Sequence, residues 1–161
     1  MRHVASIRRV DDSIKVPVQA NTGDVGYDLC AGSDIIILKD ELAVIPTGLI
    51  VEPPKGYNFE IRLRSSTPRR WGLLIPHGMG VIDCSYCGPG DELGISVYKF
   101  GVGEQDVHSK VGPLSEIKKG ERLAQLVLVK TNYFRWEDIT GSSFDNTSRG
   151  GFGSTEHLYE V

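Results

Sequence analysis

The sequence predicts an all-β domain, a sandwich or barrel built from short strands. Three observations carry that prediction. Turn-formers are abundant, with 19 glycines and 8 prolines in 161 residues, where average glycine usage is about 7%. Apolar runs are short and are cut by turn signals at Pro53-Pro54-Lys55-Gly56, Gly88-Pro89-Gly90-Asp91 and Lys118-Lys119-Gly120-Glu121. No window long enough for a helix carries apolar residues on one helical face.

The elements follow in chain order. Strands are expected at residues 34–38, 42–51, 57–64, 93–98 and 123–130. The third is the clearest. Tyr57, Phe59, Ile61 and Leu63 alternate with Asn58, Glu60, Arg62 and Arg64, the period of a half-buried strand. From about residue 137 the apolar pattern fades into Gly, Ser, Thr and Asn. The expected division is therefore a β domain over 1–136 and a flexible C-terminal arm over 137–161.

Composition narrows the function classes. A hydrophobic share of 40% with 24% charged residues is that of a folded domain rather than a disordered chain. A net charge of −3 gives no bulk attraction to nucleic acid or to an anionic membrane, so neither is expected as a partner. No segment has the apolar length of a membrane span, and the basic N-terminus lacks the apolar stretch of a secretory signal. Three cysteines, Cys30, Cys84 and Cys87, do not make a disulfide framework. A reducing compartment, the cytoplasm, is the expectation.

Several constellations are able to carry chemistry. Arg62, Arg64, Arg69 and Arg70 cluster around Ser65, Ser66 and Thr67. Guanidinium forks and hydroxyls suit phosphate oxygens, but the same residues also describe a solvated strand end. In Gly80-Val81-Ile82-Asp83-Cys84-Ser85-Tyr86, Asp83 either deprotonates a water in a pocket or opens a turn. Tyr86 offers its ring to a sugar or to the core. Cys84 and Cys87 form a C-x-x-C between strand-like segments, which lacks the helix N-terminus of a redox motif. With Cys30 and His77 they have no zinc-site spacing. Gln125 interrupts an apolar run, so its amide needs a partner, either backbone or ligand. Asp28 in Gly26-Tyr27-Asp28-Leu29 serves a hard cation through water or caps a turn. In Arg149-Gly150-Gly151-Phe152-Gly153-Ser154-Thr155, glycines free backbone N–H groups to converge on an anion, or they form a loose tail.

Taken together and in order, these segments resemble the motifs of the trimeric dUTP diphosphatase (dUTPase) family. Gly26-Tyr27-Asp28-Leu29 resembles motif one and Arg64-Ser65-Ser66 motif two. Gly80 through Tyr86 resembles motif three, Gly120-Glu121-Arg122-Leu123-Ala124-Gln125-Leu126 motif four, and Arg149 through Thr155 motif five. The resemblance implies a distorted jelly-roll-like β fold with a C-terminal arm, assembled as a homotrimer with sites shared between subunits. It implies hydrolysis of dUTP to dUMP and pyrophosphate with Mg²⁺ on the triphosphate, a reaction that lowers dUTP and supplies dUMP for thymidylate synthesis. Asp83 would be the general base for the attacking water, and Gln125 would help place that water. Arg64, Ser65 and Ser66 would hold phosphate, and Asp28 would bind Mg²⁺ through water. Tyr86 would lie against the deoxyribose, the backbone at Gly80 and Ile82 would read uracil, and His77 would lie near the nucleoside. Phe152 would stack on uracil, while Arg149, Gly153, Ser154 and Thr155 would clasp the γ-phosphate.

The chain departs from the family pattern in four places. Ser66 replaces the usual glycine and is followed by Thr67-Pro68-Arg69-Arg70. His77 replaces a common asparagine. The stretch from Cys87 to Glu92 is long. The Gly-rich motif is about two residues short and ends in Glu156. Two rival readings are a dCTP deaminase or bifunctional deaminase–dUTPase on the same fold, and a non-catalytic nucleotide-binding regulatory module. The deaminase would need a glutamate near Gly94-Ile95-Ser96-Val97, where none stands. The binding module would have no need of Asp83.

Overall fold

The computed structural model describes residues 3–101 and 112–142. Within them the chain forms short antiparallel strands and one five-residue helix. The strands are β1 (Ser6–Arg9), β2 (Gly26–Cys30), β3 (Ile35–Leu38), β4 (Leu42–Pro46), β5 (Leu49–Glu52) and β6 (Tyr57–Leu63). After α1 (Thr67–Trp71) come β7 (Leu73–Leu74), β8 (Gly80–Ile82), β9 (Gly94–Lys99), β10 (Leu114–Ile117) and β11 (Arg122–Lys130). The expected all-β class is observed. No helix among the described residues is long and apolar enough to cross a membrane.

The strands group as β2-β11-β6-β8, β4-β9-β7, β1-β5 and β3-β10. One apolar cluster joins them. Leu29, Phe59, Ile61 and Leu126 enter it from the largest sheet, Ile45, Leu73, Ile95 and Val97 from the second, and Ile37 and Ile117 from the β3-β10 pair. Burying side chains of this size is worth about 1.5–3 kcal/mol each, which is the driving force for closing the sheets on one another.

Two expectations changed in detail. The run 42–51 is two strands, because Gly48 takes φ 73° and Thr47 leaves the ladder. Thr47 is buried, and its Oγ1 donates to the Leu93 carbonyl at 2.8 Å. Helix α1 lies in a segment read as a phosphate loop. Pro68 suits its first turn, and Gly72 ends it in the left-handed conformation, donating to the Pro68 carbonyl at 2.8 Å. Five residues are too few to display a helical stripe.

The largest sheet positions the site, because its two faces differ in chemistry. Register places Tyr27, Leu126 and Ile61 opposite one another on the core face. The neighbouring row places Asp28, Gln125 and Arg62 opposite one another on the other face. Directly opposed residues share a face, so three polar groups from three strands form one row.

Candidate active site

Asp28 is the centre of the first half-site. Its side chain is only 4% exposed, yet both oxygens are occupied. Oδ1 meets Arg64 Nε at 3.2 Å and Oδ2 meets Arg122 Nη1 at 3.1 Å. A carboxylate withdrawn this far from water needs such partners. With two guanidinium groups on one carboxylate, the cluster carries one net positive charge. Its neighbour Cys30 has its thiol pushed up by burial and then by the charge of Asp28, which makes it a poor nucleophile.

Gln125 stands beside this cluster, half-buried, in register with Asp28. Gly26 makes the room for it. A Cβ on Gly26 would lie 3.0 Å from both Cβ and Oε1 of Gln125. The glycine of the first motif is thus explained by close approach rather than by an unusual backbone angle.

A β-bulge organises the same corner. Arg122 pairs with Cys30, but the next pair along is Ala124 with Leu29, so Leu123 is an extra residue. The bulge turns Arg122 onto the face of Asp28 and Gln125. The Leu123 carbonyl then accepts the Arg64 backbone N–H at 3.0 Å and Thr67 Oγ1 at 2.6 Å. Thr67 is fully buried. The segment after β6 is therefore fastened to β11 at the point where the two arginines meet. Ser65 and Ser66 are exposed there, and Ser66 precedes α1 without its side chain capping the helix.

The remaining arginines lie elsewhere. Arg62 is exposed and pairs with Glu60 on its own strand, so it does not converge with Arg64 on one anion. Arg70 stacks over Trp71, 4.2 Å from the ring centroid, and pairs with Glu121.

The second half-site surrounds β8. Gly80 and Ile82 pair with Ile61 and Phe59, and the Ile82 side chain packs against the core. Only its backbone is left to face a ligand. Asp83 follows directly and is exposed. The Tyr86 N–H donates to the Asp83 carbonyl at 3.1 Å, closing a turn. Tyr86 Oη donates to the Glu92 carbonyl at 3.1 Å, and Glu92 Oε1 accepts the Gly48 N–H at 2.7 Å. These contacts hold the long stretch that follows Cys87. His77 lies at the entrance to β8, its Nδ1 2.8 Å from the Met79 carbonyl. Cys84 and Cys87 are both free thiols, and Cys87 Sγ–H donates to the Cys84 carbonyl at 3.3 Å.

One chain does not bring the two halves together. Ile82 pairs with Phe59, so Asp83 lies at the Asn58 end of β6. Arg64 is beyond the other end. Six residues separate Arg64 from Asn58, roughly 20 Å at about 3.3 Å per residue. Gln125, opposite Arg62, stands roughly 13 Å along the sheet from Asp83 by the same measure. Side chains of this size do not span such distances to one phosphorus atom. Arg149, Phe152, Gly153, Ser154 and Thr155 lie outside the described residues.

Sequence reasoning assigned Arg122 and Leu123 no role of their own, and it grouped Thr67 with the phosphate-binding hydroxyls, whereas Thr67 is buried and bonded to the Leu123 carbonyl. The sequence carried no clear signal for the bulge, because the run from Leu123 to Val129 is apolar apart from Gln125 and shows no alternation to interrupt.

Comparison with known proteins identifies the family. A model of the dUTPase family matches residues 12–156. A deoxyuridine 5'-triphosphate nucleotidohydrolase of Leptospira interrogans is 32% identical over 155 residues, covering 94% of this chain and 97% of that protein. One from Desulfotalea psychrophila is 30% identical over 149 residues, covering 91% of each. Among solved structures, a mutant dUTPase of Staphylococcus bacteriophage 80alpha with dUpNHpp has a TM-score of 0.77 at 24% identity, covering 96% of this chain and 99% of that one. A mutant dUTPase of phage phi11 of S. aureus, described as coordinating a structural Mg(II) ion, has a TM-score of 0.74 at 22% identity, covering 89% and 100%. These structural likenesses establish the fold.

Proposed function

Because the chain belongs to the dUTPase family, we infer that it is a dUTP diphosphatase, hydrolysing dUTP to dUMP and pyrophosphate. The observation that carries this reading is the Asp28–Arg64–Arg122 cluster beside Gln125. It offers one net positive charge on a polar sheet face, which suits a triphosphate. Arg64, Ser65 and Ser66 bind phosphate oxygens there. Gln125 helps to place a water, and Asp83 takes its proton as the oxygen attacks the α-phosphorus. Pyrophosphate leaves. Phosphoryl chemistry of this kind relies on positioning and charge stabilisation, which these residue types supply.

The nucleoside is held by the second half-site. Tyr86 lies against the deoxyribose, the backbone at Gly80 and Ile82 reads uracil, and His77 lies near the nucleoside. Phe152 stacks on the base, and Arg149, Gly153, Ser154 and Thr155 clasp the γ-phosphate. A site using both halves takes them from different copies of the chain. The separation of Asp83 and Arg64 along β6 supports a homotrimer with shared sites.

The donor set fits a hydrated Mg²⁺ on the triphosphate rather than a protein cage. Asp28 has both oxygens engaged, and no three His, Cys, Asp or Glu converge among the described residues. Mg²⁺ keeps several waters and binds through one or two carboxylates plus substrate phosphates, so Asp28 would hold it through water. When bound, the ion neutralises triphosphate charge.

The test is pyrophosphate release from dUTP with Mg²⁺, compared with dTTP, dCTP and UTP. Release confined to dUTP is expected. No release from any of the four would overturn the reading, and ammonia from dCTP would replace it with deamination.

A further inference from the structure

We propose that Arg122 is a positioning residue that compensates the charge of Asp28, and so frees the charge of Arg64 for the substrate's phosphates. The inference rests on the reading of Arg64 as a phosphate ligand.

Charge balance is the first argument. Asp28 is buried, and a buried carboxylate holds a cation tightly. If Arg64 were its only partner, the pair would be neutral. Moving the Arg64 charge toward a phosphate would then leave Asp28 unpaired in a desolvated position. Arg122 removes that obstacle, because it engages the other carboxylate oxygen. The Arg64 contact is on Oδ1 and the Arg122 contact on Oδ2, so one can be given up while the other persists.

The second argument is the backbone. If Leu123 were a regularly paired ladder residue, alternation would put Arg122 on the opposite face from Gln125 and Asp28. The bulge interrupts a regular ladder, and its local result is the contact between Arg122 and Asp28. The same bulge presents the Leu123 carbonyl to the Arg64 N–H. One irregularity therefore fixes both arginines around one carboxylate.

A purely structural pairing of Arg122 with Asp28 would loosen the corner and weaken every ligand alike. A charge-compensating role weakens only ligands that carry phosphate. Calorimetric titration separates the two, using the non-hydrolysable analogue dUpNHpp and the nucleoside deoxyuridine, both in metal-free buffer. Arg122→Gln is expected to weaken dUpNHpp by about tenfold or more, the size of one charge-assisted hydrogen bond. Deoxyuridine affinity should stay within about twofold, and Arg122→Lys should recover most of the loss. Adding Asp28→Asn to Arg122→Gln should also recover dUpNHpp affinity, because nothing then holds Arg64 back.

Arg64→Gln is the control. If it leaves dUpNHpp affinity unchanged, the phosphate-binding reading of Arg64 fails, and this inference fails with it. If Arg64→Gln weakens the analogue but Arg122→Gln does not, or weakens deoxyuridine equally, the inference alone is overturned. Where Arg122→Gln does not assemble, Arg122→Lys against Arg122→Lys/Asp28→Asn gives the same comparison. Equal dUpNHpp affinities across wild type, Arg122→Lys and the double variant are expected, and a fall in the double variant would refute the proposal.

Discussion

Two inactive variants of this protein should restore each other when mixed. Arg64→Gln removes the proposed phosphate ligand and Asp83→Asn the proposed base, and each alone is expected to lose turnover. The residues lie roughly 20 Å apart along one chain, measured at about 3.3 Å per strand residue. If each site draws Arg64 from one copy and Asp83 from another, mixed assemblies contain wild-type sites. In an equal, random mixture, half of the Arg64 positions come from the Asp83→Asn chain and are intact. Independently, half of the Asp83 positions come from the Arg64→Gln chain and are intact. About one quarter of the sites then hold both native residues, because closed assemblies with repeated interfaces combine subunits independently. The assay is pyrophosphate release after co-refolding, with native mass spectrometry of differently tagged chains to verify that mixed assemblies form. Activity near one quarter of wild type is expected. Mixed assemblies with no more activity than the two parents would refute the reasoning, since sites confined to one chain cannot be rebuilt this way.

Three other outcomes are expected. Truncation before Arg149 should cripple dUTP turnover while leaving the assembly size unchanged in light scattering, and a fall to monomers would make the arm structural instead. Thr67→Val removes the buried hydrogen bond to the Leu123 carbonyl. It should lower stability by about 1 kcal/mol, since the Arg64 N–H still satisfies that oxygen, or about 2–4 °C in Tm at fixed protein concentration. An unchanged Tm would remove this bond from the account of the corner. Asp34 accepts the Lys119 N–H at 2.8 Å and pairs with Lys118, which together hold its carboxyl below the ordinary value of 3.8. A lowered folded value stabilises the fold above 3.8 and loses that contribution as pH falls through the folded value. Asp34→Asn should therefore reduce the urea midpoint at neutral pH, with the difference from wild type vanishing in acid; a difference that persists there would contradict the assignment.

The legible parts of this fold are those where one face is buried and the other wet. The alternation from Tyr57 to Leu63 appears as β6 almost residue for residue, because the core takes every second side chain. The strands β1, β2, β7, β8 and β10 were not read out. They have two to five residues and are fixed by hydrogen bonds to a neighbouring strand. The site divides in the same way. Asp28 and Gln125 stood out as polar groups in apolar settings, Asp83 as an aspartate after an apolar pair, and Arg64 as part of an arginine cluster. Arg122 did not, because strict alternation in β11 turns it away from Gln125 and only the bulge turns it back. Arg62 stood out equally and proved to be a strand-surface residue held by Glu60.

By itself the sequence determined the fold class, the turn positions and the residue types offered for the candidate site. Those follow from local chemistry: glycine and proline at turns, alternation along strands, and polar residues where an apolar one would pack. Tertiary structure alone decided which of these groups meet. Asp28 faces Gln125 through strand pairing across nearly a hundred residues of chain, Arg122 joins them through one extra residue in β11, and Asp83 is held at the far end of β6. Register and bulges arise when strands pair, so no single segment carries them, and it is register that separates the candidate residues into two groups on one chain.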